Sequence, residues 1–462
     1  MHTHTTQTLL PVRLPPAPHV SGFPIIGVVP HLMRANPFYY LRDLMLKHGD
    51  FVSLQLGPQT LYLVSSPDFM QQILRDNHRN YRKPDALYKS ARKLLSNGLV
   101  TSEGDCWLRQ RRMIQPHLHR KQLKNLYDTM VSAVGGVLAD WEAFAQHGRP
   151  VNLGNEMSRI TMAVITQTMF GSSTLSESEM TEVATALSTV IDYSGRWAYF
   201  PFIPDWMPLP GKGEYQRAMK RIKQTIMKLI EHGRAHPDSV GSLLGMLLNT
   251  VDEQSNAQMD DQQLFDEAIT IFTAGYETTA TALTWLWTVL EQRPDIEAKL
   301  VEELDTVLQG RTPAFEDLRS LDYARKVFAE TLRFYPIAPF LPRAALYADY
   351  FGEYEMPQKS QLLLFYFGLH HNPRYWEQPE VFDPQRFARE REAARHPFAY
   401  LPFSGGPRKC AGDEFAQIEG ILVMAMLLQR YRMTLVPGGN YEPKLGSTLR
   451  PHDPVMGVVQ QR

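Results

Sequence analysis

Phe403-Ser404-Gly405-Gly406-Pro407-Arg408-Lys409-Cys410-Ala411-Gly412 is the stretch that decides how this 462-residue chain is read. It follows a proline-bearing approach, Pro397 to Pro402, and runs into a helical pattern from Asp413 to Leu428, so Cys410 falls in a tight loop before a helix. Gly405, Gly406 and Gly412 let backbone N–H groups approach a sulfur closely. Helix-end amides, Arg408 and Lys409 are expected to lower the thiol pKa and favour the thiolate. Taken alone, a single cysteine is more often a buried structural residue.

Composition narrows the classes around that loop. Lys and Arg number 48 against 49 Asp and Glu, a net charge of -1, so no nucleic acid or acidic polymer is expected as a partner. The two cysteines, Cys106 and Cys410, exclude a disulfide framework, and no CxxC or HExxH spacing suggests zinc. Such sparse use fits a reducing compartment. Met1 to Val12 is polar and Thr/His-rich, unlike a signal peptide, and no run reaches the roughly 18 to 20 apolar residues of a transmembrane anchor. The expectation is a soluble, cytoplasmic protein with a proline-rich lead-in, 1–30, and one catalytic domain, 31–462.

Along the chain, Asn36 to His48 reads as a helix, and Phe51 to Leu56 and Thr60 to Val64 as a hairpin turning at Gly57-Pro58. Pro67 to Asn77 reads as a helix with Ser66 at its N-cap, and Tyr81 to Ser102 as a flexible, partly apolar loop. Trp107 and Arg111 lie at i and i+4 on one helical face, which alone suggests a solvated basic helix. His117 and His119, at i and i+2, do not form a metal pair, nor do the adjacent His370 and His371. Gln122 to His147, Val151 to Met169, Ser176 to Ser194 and the basic Gly213 to His232 read as amphipathic helices. Between the last two, Trp197 to Pro210 holds five aromatics, Trp197, Tyr199, Phe200, Phe202 and Trp206, and reads as a lid or an exposed apolar patch. Tyr354 to Phe367 and Tyr431 to Val459 read as strands.

Asp260 to Gln292 is a continuous helical pattern closed by Pro294, long enough to cross a domain at about 1.5 Å per residue. Its middle, Ala274-Gly275-Tyr276-Glu277-Thr278-Thr279, carries poor helix formers. Gly275 admits a close neighbour, and a Thr hydroxyl can take the i−4 carbonyl, so a mid-helix groove is expected. Glu330 and Arg333, at i and i+3, would alone be an ordinary surface pair.

Together these motifs resemble the cytochrome P450 family: Phe403-x-x-Gly406-x-Arg408-x-Cys410-x-Gly412, Trp107-x-x-x-Arg111, the Ala274 to Thr279 element, Glu330-x-x-Arg333 and the Arg386 element, in the family's order over nearly the whole chain. The resemblance implies a mainly α fold with smaller β-sheets (α+β), with haem b between the long helix and the Cys loop. It makes Cys410 the iron ligand, whose electron donation favours O–O cleavage. It places Trp107, Arg111, Arg343 and Arg408 on the haem propionates, Phe403 and Gly412 by the sulfur, and Ala274 over the ring. Cleaving dioxygen needs two protons, which Thr278 would deliver through an oriented water and Glu277 would relay. Glu330, Arg333 and Arg386 would form a buried charge network supporting the loop. Ser404 stands where the family frequently has Gly, a departure expected only to trim loop flexibility.

The implied activity is a haem-thiolate monooxygenase that hydroxylates or epoxidises a lipophilic small molecule with O2. The stretch from Cys410 to Arg462 is too short for a flavin domain, so electrons are expected from a ferredoxin or flavodoxin with an NAD(P)H-dependent reductase. Arg109, Arg112, Arg120, Lys121, Lys124 and Lys409 are its expected docking surface. By family position the substrate pocket comprises Leu87, Leu94, Val190, Ala274, Ile337, Ala338, Phe340 and Thr448. No Arg among them would grip a carboxylate, which favours a terpenoid over a fatty acid. A peroxygenase or isomerase, and a haem-bearing binding protein without turnover, are the competing functions. The intact acid-Thr pair argues against the first, and turnover with ferredoxin, reductase and NAD(P)H separates both.

Overall fold

The computed structural model describes residues 15–171, 175–197, 206–235, 242–444 and 448–462. Six short strands make the main sheet: β1 (His19–Val20), β2 (Phe51–Leu56), β3 (Gln59–Val64), β4 (Tyr81–Arg82), β5 (Phe340–Ala345) and β6 (Gln361–Phe365), in the order β1-β2-β3-β6-β5-β4. The β2–β3 hairpin pairs Phe51 with Val64 and Leu56 with Gln59, and Gly57 (φ 59°) supplies the left-handed turn residue. β6 joins β3 in parallel and β5 antiparallel. A second sheet pairs Tyr431–Leu435 with Met456–Gln461, which also pairs with Val151–Asn152.

Helices form most of the molecule. Those that position the site are α1 (Asp85–Leu95), α2 (Gly104–Ile114), α3 (Arg120–Leu138), α4 (Leu153–Phe170), α5 (Glu177–Trp197), α6 (Lys212–Ala235), α7 (Asp261–Gln292), α8 (Asp322–Phe334) and α9 (Asp413–Leu428). α7 has 32 residues, about 48 Å. Asp260 caps it by accepting from Gln263 N at 2.7 Å, and Pro294 opens the next helix. α7 stays unbroken through Gly275, Thr278 and Thr279 because it packs along α4: Thr161 of α4 donates to the Tyr276 carbonyl at 3.0 Å. A Cβ on Gly275 would come 2.9 Å from Ile165 Cδ1, so the close neighbour that Gly275 admits is α4.

Several readings change. Residues 81–102 hold β4 and α1 rather than a flexible loop: Pro84 sits at the N-cap position, and Leu87, Ala91, Leu94 and Leu95 recur at helical spacing. Gln122 to His147 is two helices, α3 and Trp141–His147. Tyr366–His370 is helical at the end of the expected strand run. Ser66 occupies an N-cap position, but its hydroxyl makes no cap bond. Of the aromatic stretch from Trp197 to Pro210, 198–205 lie outside the described residues, as do 1–14 of the lead-in; Trp197 closes α5, and Trp206 is exposed. No helix among the described residues is long and apolar enough to cross a membrane.

Candidate active site

The Cys loop is held from three sides. Cys410 N–H donates to the Phe403 carbonyl at 2.9 Å, closing the loop on itself. Gly406 (φ 67°) presses against the Leu74 carbonyl, where a Cβ would lie 1.8 Å from that oxygen, so glycine is required there for both reasons. Leu401 N–H donates to His370 Nε2 at 2.9 Å, and His371 Nε2 pairs with the Phe334 carbonyl at 2.9 Å. The two histidines therefore serve structure, and no cluster of three His, Cys, Asp or Glu among the described residues could hold a metal. Ser404 is left-handed (φ 61°) and its Oγ is 2.9 Å from the Tyr366 hydroxyl. The departure from Gly thus places an L side chain in a strained conformation, which is more than a loss of flexibility.

Burial raises the Cys410 thiol pKa, while Gly412 N–H, Arg111 and Lys409 pull it the other way, as expected of them. Cys410 nevertheless has exposed surface. A residue can be deeply surrounded and open only if it faces an internal space. The same signature recurs on facing elements: within the otherwise buried middle of α7, Ala274 and Thr278 are exposed, and so is Ala338 before β5. The Thr278 hydroxyl donates to the Ala274 carbonyl at 2.8 Å, the expected i−4 bond.

Beside this space lies an excess of positive charge. Arg408 bonds Glu103 at 2.5 Å and stacks on Trp107, 4.2 Å from the ring centroid. Lys83 is buried, donates to the Ser102 carbonyl at 2.7 Å, and is held down at about 7 by burial and then by Arg408, with Arg343 and Arg92 adding. Arg343 is buried on β5. Glu103 pairs with Arg408 and its charge reaches Lys83, while Arg343 adds a third cation to the group, an imbalance that two further anionic groups would relieve. Arg111 is close enough for its charge to interact with Cys410. An open apolar gap with one thiol in its wall and surplus cations at its rim fits haem b and its two propionates. Lys83 was missed because Lys83-Pro84 reads as a turn; only the fold brings it to Arg408.

The remaining residues divide. Glu277 lies beside the open face of α7, about 60° round the helix from Ala274 and about 100° from Thr278, and borders a 640 Å³ cavity lined by Ser158, Asp192, Thr281 and Arg450. Its Oε1 accepts from Arg450 Nη2 at 2.7 Å and from Thr448 Oγ1 at 2.5 Å. The Thr448 hydroxyl is thus tied to Glu277. Val190 is fully buried on α5 and contributes packing; Ile337 and Leu94 are buried, and Leu87 and Phe340 half-buried. Glu330 and Arg333 are both fully buried and paired at 2.7 Å, with Arg386 Nε 3.4 Å from Glu330. Arg386 donates mainly to backbone carbonyls, 2.7 Å from Gln378 O. The basic docking cluster is partly neutralised: Arg112 pairs with Asp252, Lys124 with Glu316 and Lys409 with Asp413.

A haem-binding gap between a long helix and a cysteine loop defines a haem-thiolate protein, and residues 15–456 match the family described as Cytochrome P450. The chain belongs to the cytochrome P450 family and is a haem-dependent monooxygenase. It is 33% identical over 443 residues to cyclooctatin synthase of Streptomyces melanosporofaciens, covering 96% of this chain and 93% of that protein. It is 30% identical over 423 residues to pentalenene oxygenase of Streptomyces avermitilis, covering 92% of each. The crystal structure of the cytochrome P450DA heme domain superposes with a TM-score of 0.88 at 24% identity, over 97% of this chain and 98% of that one.

Proposed function

We propose that this monooxygenase hydroxylates or epoxidises a terpenoid, in the cytoplasm, with one catalytic domain spanning 31–462. The observation that carries the substrate class is the separation of charge from the gap. The cations at its rim, Lys83, Arg343 and Arg408, are taken up by Glu103 and the two propionates, and Arg450 is turned to Glu277. That leaves apolar Leu87, Leu94, Ala274, Ile337, Ala338 and Phe340 to meet substrate, with no cation for a fatty acid carboxylate. The terpene-oxidising relatives, cyclooctatin synthase and pentalenene oxygenase, support the same class.

In this reading Cys410 binds the iron, Phe403 and Gly412 flank the sulfur, and Trp107, Arg111, Arg343, Arg408 and Lys83 hold the propionates. Haem supplies the iron that activates O2. Thr278 holds a water by its hydroxyl on the open face, and Glu277 passes it protons drawn from the cavity alongside α7. Electrons come from a separate ferredoxin or flavodoxin and its NAD(P)H-dependent reductase. Titrating the haem-loaded protein with terpenes and fatty acids tests the substrate class. Terpenes are expected to shift the Soret band at lower concentration, and a response to fatty acids alone would sink the terpenoid reading.

A further inference from the structure

Glu277 is held from outside its own helix. Among the described residues its side-chain hydrogen bonds all fall on Oε1: from Thr448 Oγ1 at 2.5 Å, from Arg450 Nη2 at 2.7 Å and from Arg450 Nε at 3.2 Å. A second carboxylate stands on the other side of the same guanidinium. Asp192 of α5 has its Oδ1 3.6 Å from Arg450 Nη1, and its carboxylate takes no hydrogen bond among the described residues. A shift of Arg450 by about 0.7 Å would turn that contact into an ordinary hydrogen bond. The three side chains step inward from solvent, with 66% of Asp192 exposed, 28% of Arg450 and 10% of Glu277. All three border the 640 Å³ cavity. Lys444, His452 and Asp453 border it too, but among the described residues none of them bonds Glu277, and Asp453 is engaged by Asn440 N and His452.

We propose that Arg450 is a positioning residue for proton delivery, which latches Glu277 in the cavity wall and frees it by passing to Asp192. The proposal rests on the reading of Glu277 as a proton relay and deepens it. Thr278 lies about 100° round α7 from Glu277, so the carboxyl that Thr448 and Arg450 pin must swing on its side chain to meet a water held by Thr278. If Arg450 stayed where it is, that swing would strand its guanidinium with no carboxylate in hydrogen-bond reach. Asp192 removes the cost, because the five N–H donors of Arg450 form a fork that serves one carboxylate or the other and keeps its charge throughout. Arg450 therefore never carries the proton. One proton enters Glu277 from the cavity and one leaves it for the Thr278 water, so the relay ends as it began.

The test drives the haem-loaded protein with ferredoxin, its reductase and NADPH, with no terpene added, and compares oxygen consumption in H2O and D2O. Asp192→Asn leaves Arg450 only Glu277 to hold. It should slow consumption about threefold, the worth of one partly exposed ion pair, and raise the solvent isotope effect. A merely structural contact would move the melting temperature and not the isotope effect. In an Arg450→Gln background Asp192→Asn should alter neither quantity, since the latch is already gone. If Arg450→Gln does not fold, Arg450→Lys takes its place and should blunt the Asp192→Asn effect, because one ammonium cannot face both carboxylates as the guanidinium fork does. A crystal structure of haem-loaded Glu277→Ala should show Arg450 hydrogen-bonded to Asp192, a readout independent of turnover. An isotope effect that ignores Asp192→Asn, an Asp192 effect that survives the loss of Arg450, or an Arg450 that stays away from Asp192 in Glu277→Ala overturns the proposal and leaves the relay reading in place. Glu277→Gln turning over like wild type overturns both.

Discussion

Glu419 shows how one buried side chain can make the whole protein sensitive to pH. It lies on α9, fully buried; among the described residues Thr279 is the polar neighbour that eases its charge, neither oxygen reaching a well-formed hydrogen bond, and burial pushes its pKa up to about 8. The unfolded chain ionises this group near 4.5, so between about 4.5 and 8 the folded state holds the extra proton and stability falls as pH rises. Its contribution is fully present below that window and lost as pH passes through 8. Glu419→Gln should therefore raise the melting temperature at pH 8 and leave it nearly unchanged at pH 4.5; thermal melts at the two values check this. Glu267, also near 8, adds a slope of the same sign. Cys410 carries the opposite tension, since its nearby donors and cations favour a charge that burial opposes until a cation arrives.

Between elements, the Cys loop is placed by the crossing of α8 and α9 as much as by its own turns. Gly420 of α9 lets the Phe328 ring of α8 lie against its backbone, where a Cβ would come 2.3 Å from Cζ. Gly420→Ala should push that ring out of its well-packed site and destabilise by about 1 to 3 kcal/mol. Combining it with Phe328→Leu should recover part of the loss, a non-additivity that denaturant unfolding of the single and double variants measures. α7 was legible in the sequence because capping by Asp260, unbroken periodicity and Pro294 are local signals. α1 was not, because its short apolar repeat sits between Lys83-Pro84 and Asn97-Gly98, which read as breaks. What steadies it is contact with α7 and α5.

At the scale of the whole molecule, the near-neutral net charge hides a local asymmetry. Arg120, Arg319, Arg325 and Arg389, against Asp322 and Glu392, line a 480 Å³ groove beside α9, and an adjoining 200 Å³ groove reaches Phe403 and Lys409 of the Cys loop. Arg112, Lys124 and, in this groove, Arg325 are paired with carboxylates, whereas Arg120, Arg319 and Arg389 have no carboxylate within ion-pair distance among the described residues, so this groove is the better candidate for an acidic electron donor. Reversing Arg120 and Arg319 to Glu should raise the KM for ferredoxin about tenfold at low salt. Terpenoid binding by Soret titration should stay unchanged; an unaltered KM would remove the groove from consideration.

The sequence by itself determined the Cys410 loop, the α7 signature, Trp107 with Arg111, and Glu330 with Arg333, because each is a set of residue types at fixed local spacing in a loop or on one helical face. It placed Thr278 and Ala274 together for the same reason, since four residues are one turn. Only the tertiary structure decided that Arg450 and Thr448 hold Glu277, that Lys83 joins Arg343 and Arg408, that Ile165 fills the space beside Gly275, and that Leu99 leaves one oxygen of Glu267 unpaired. Those contacts join distant segments of the chain, so the charge balance and burial that set each group's chemistry exist only once packing has brought those segments side by side.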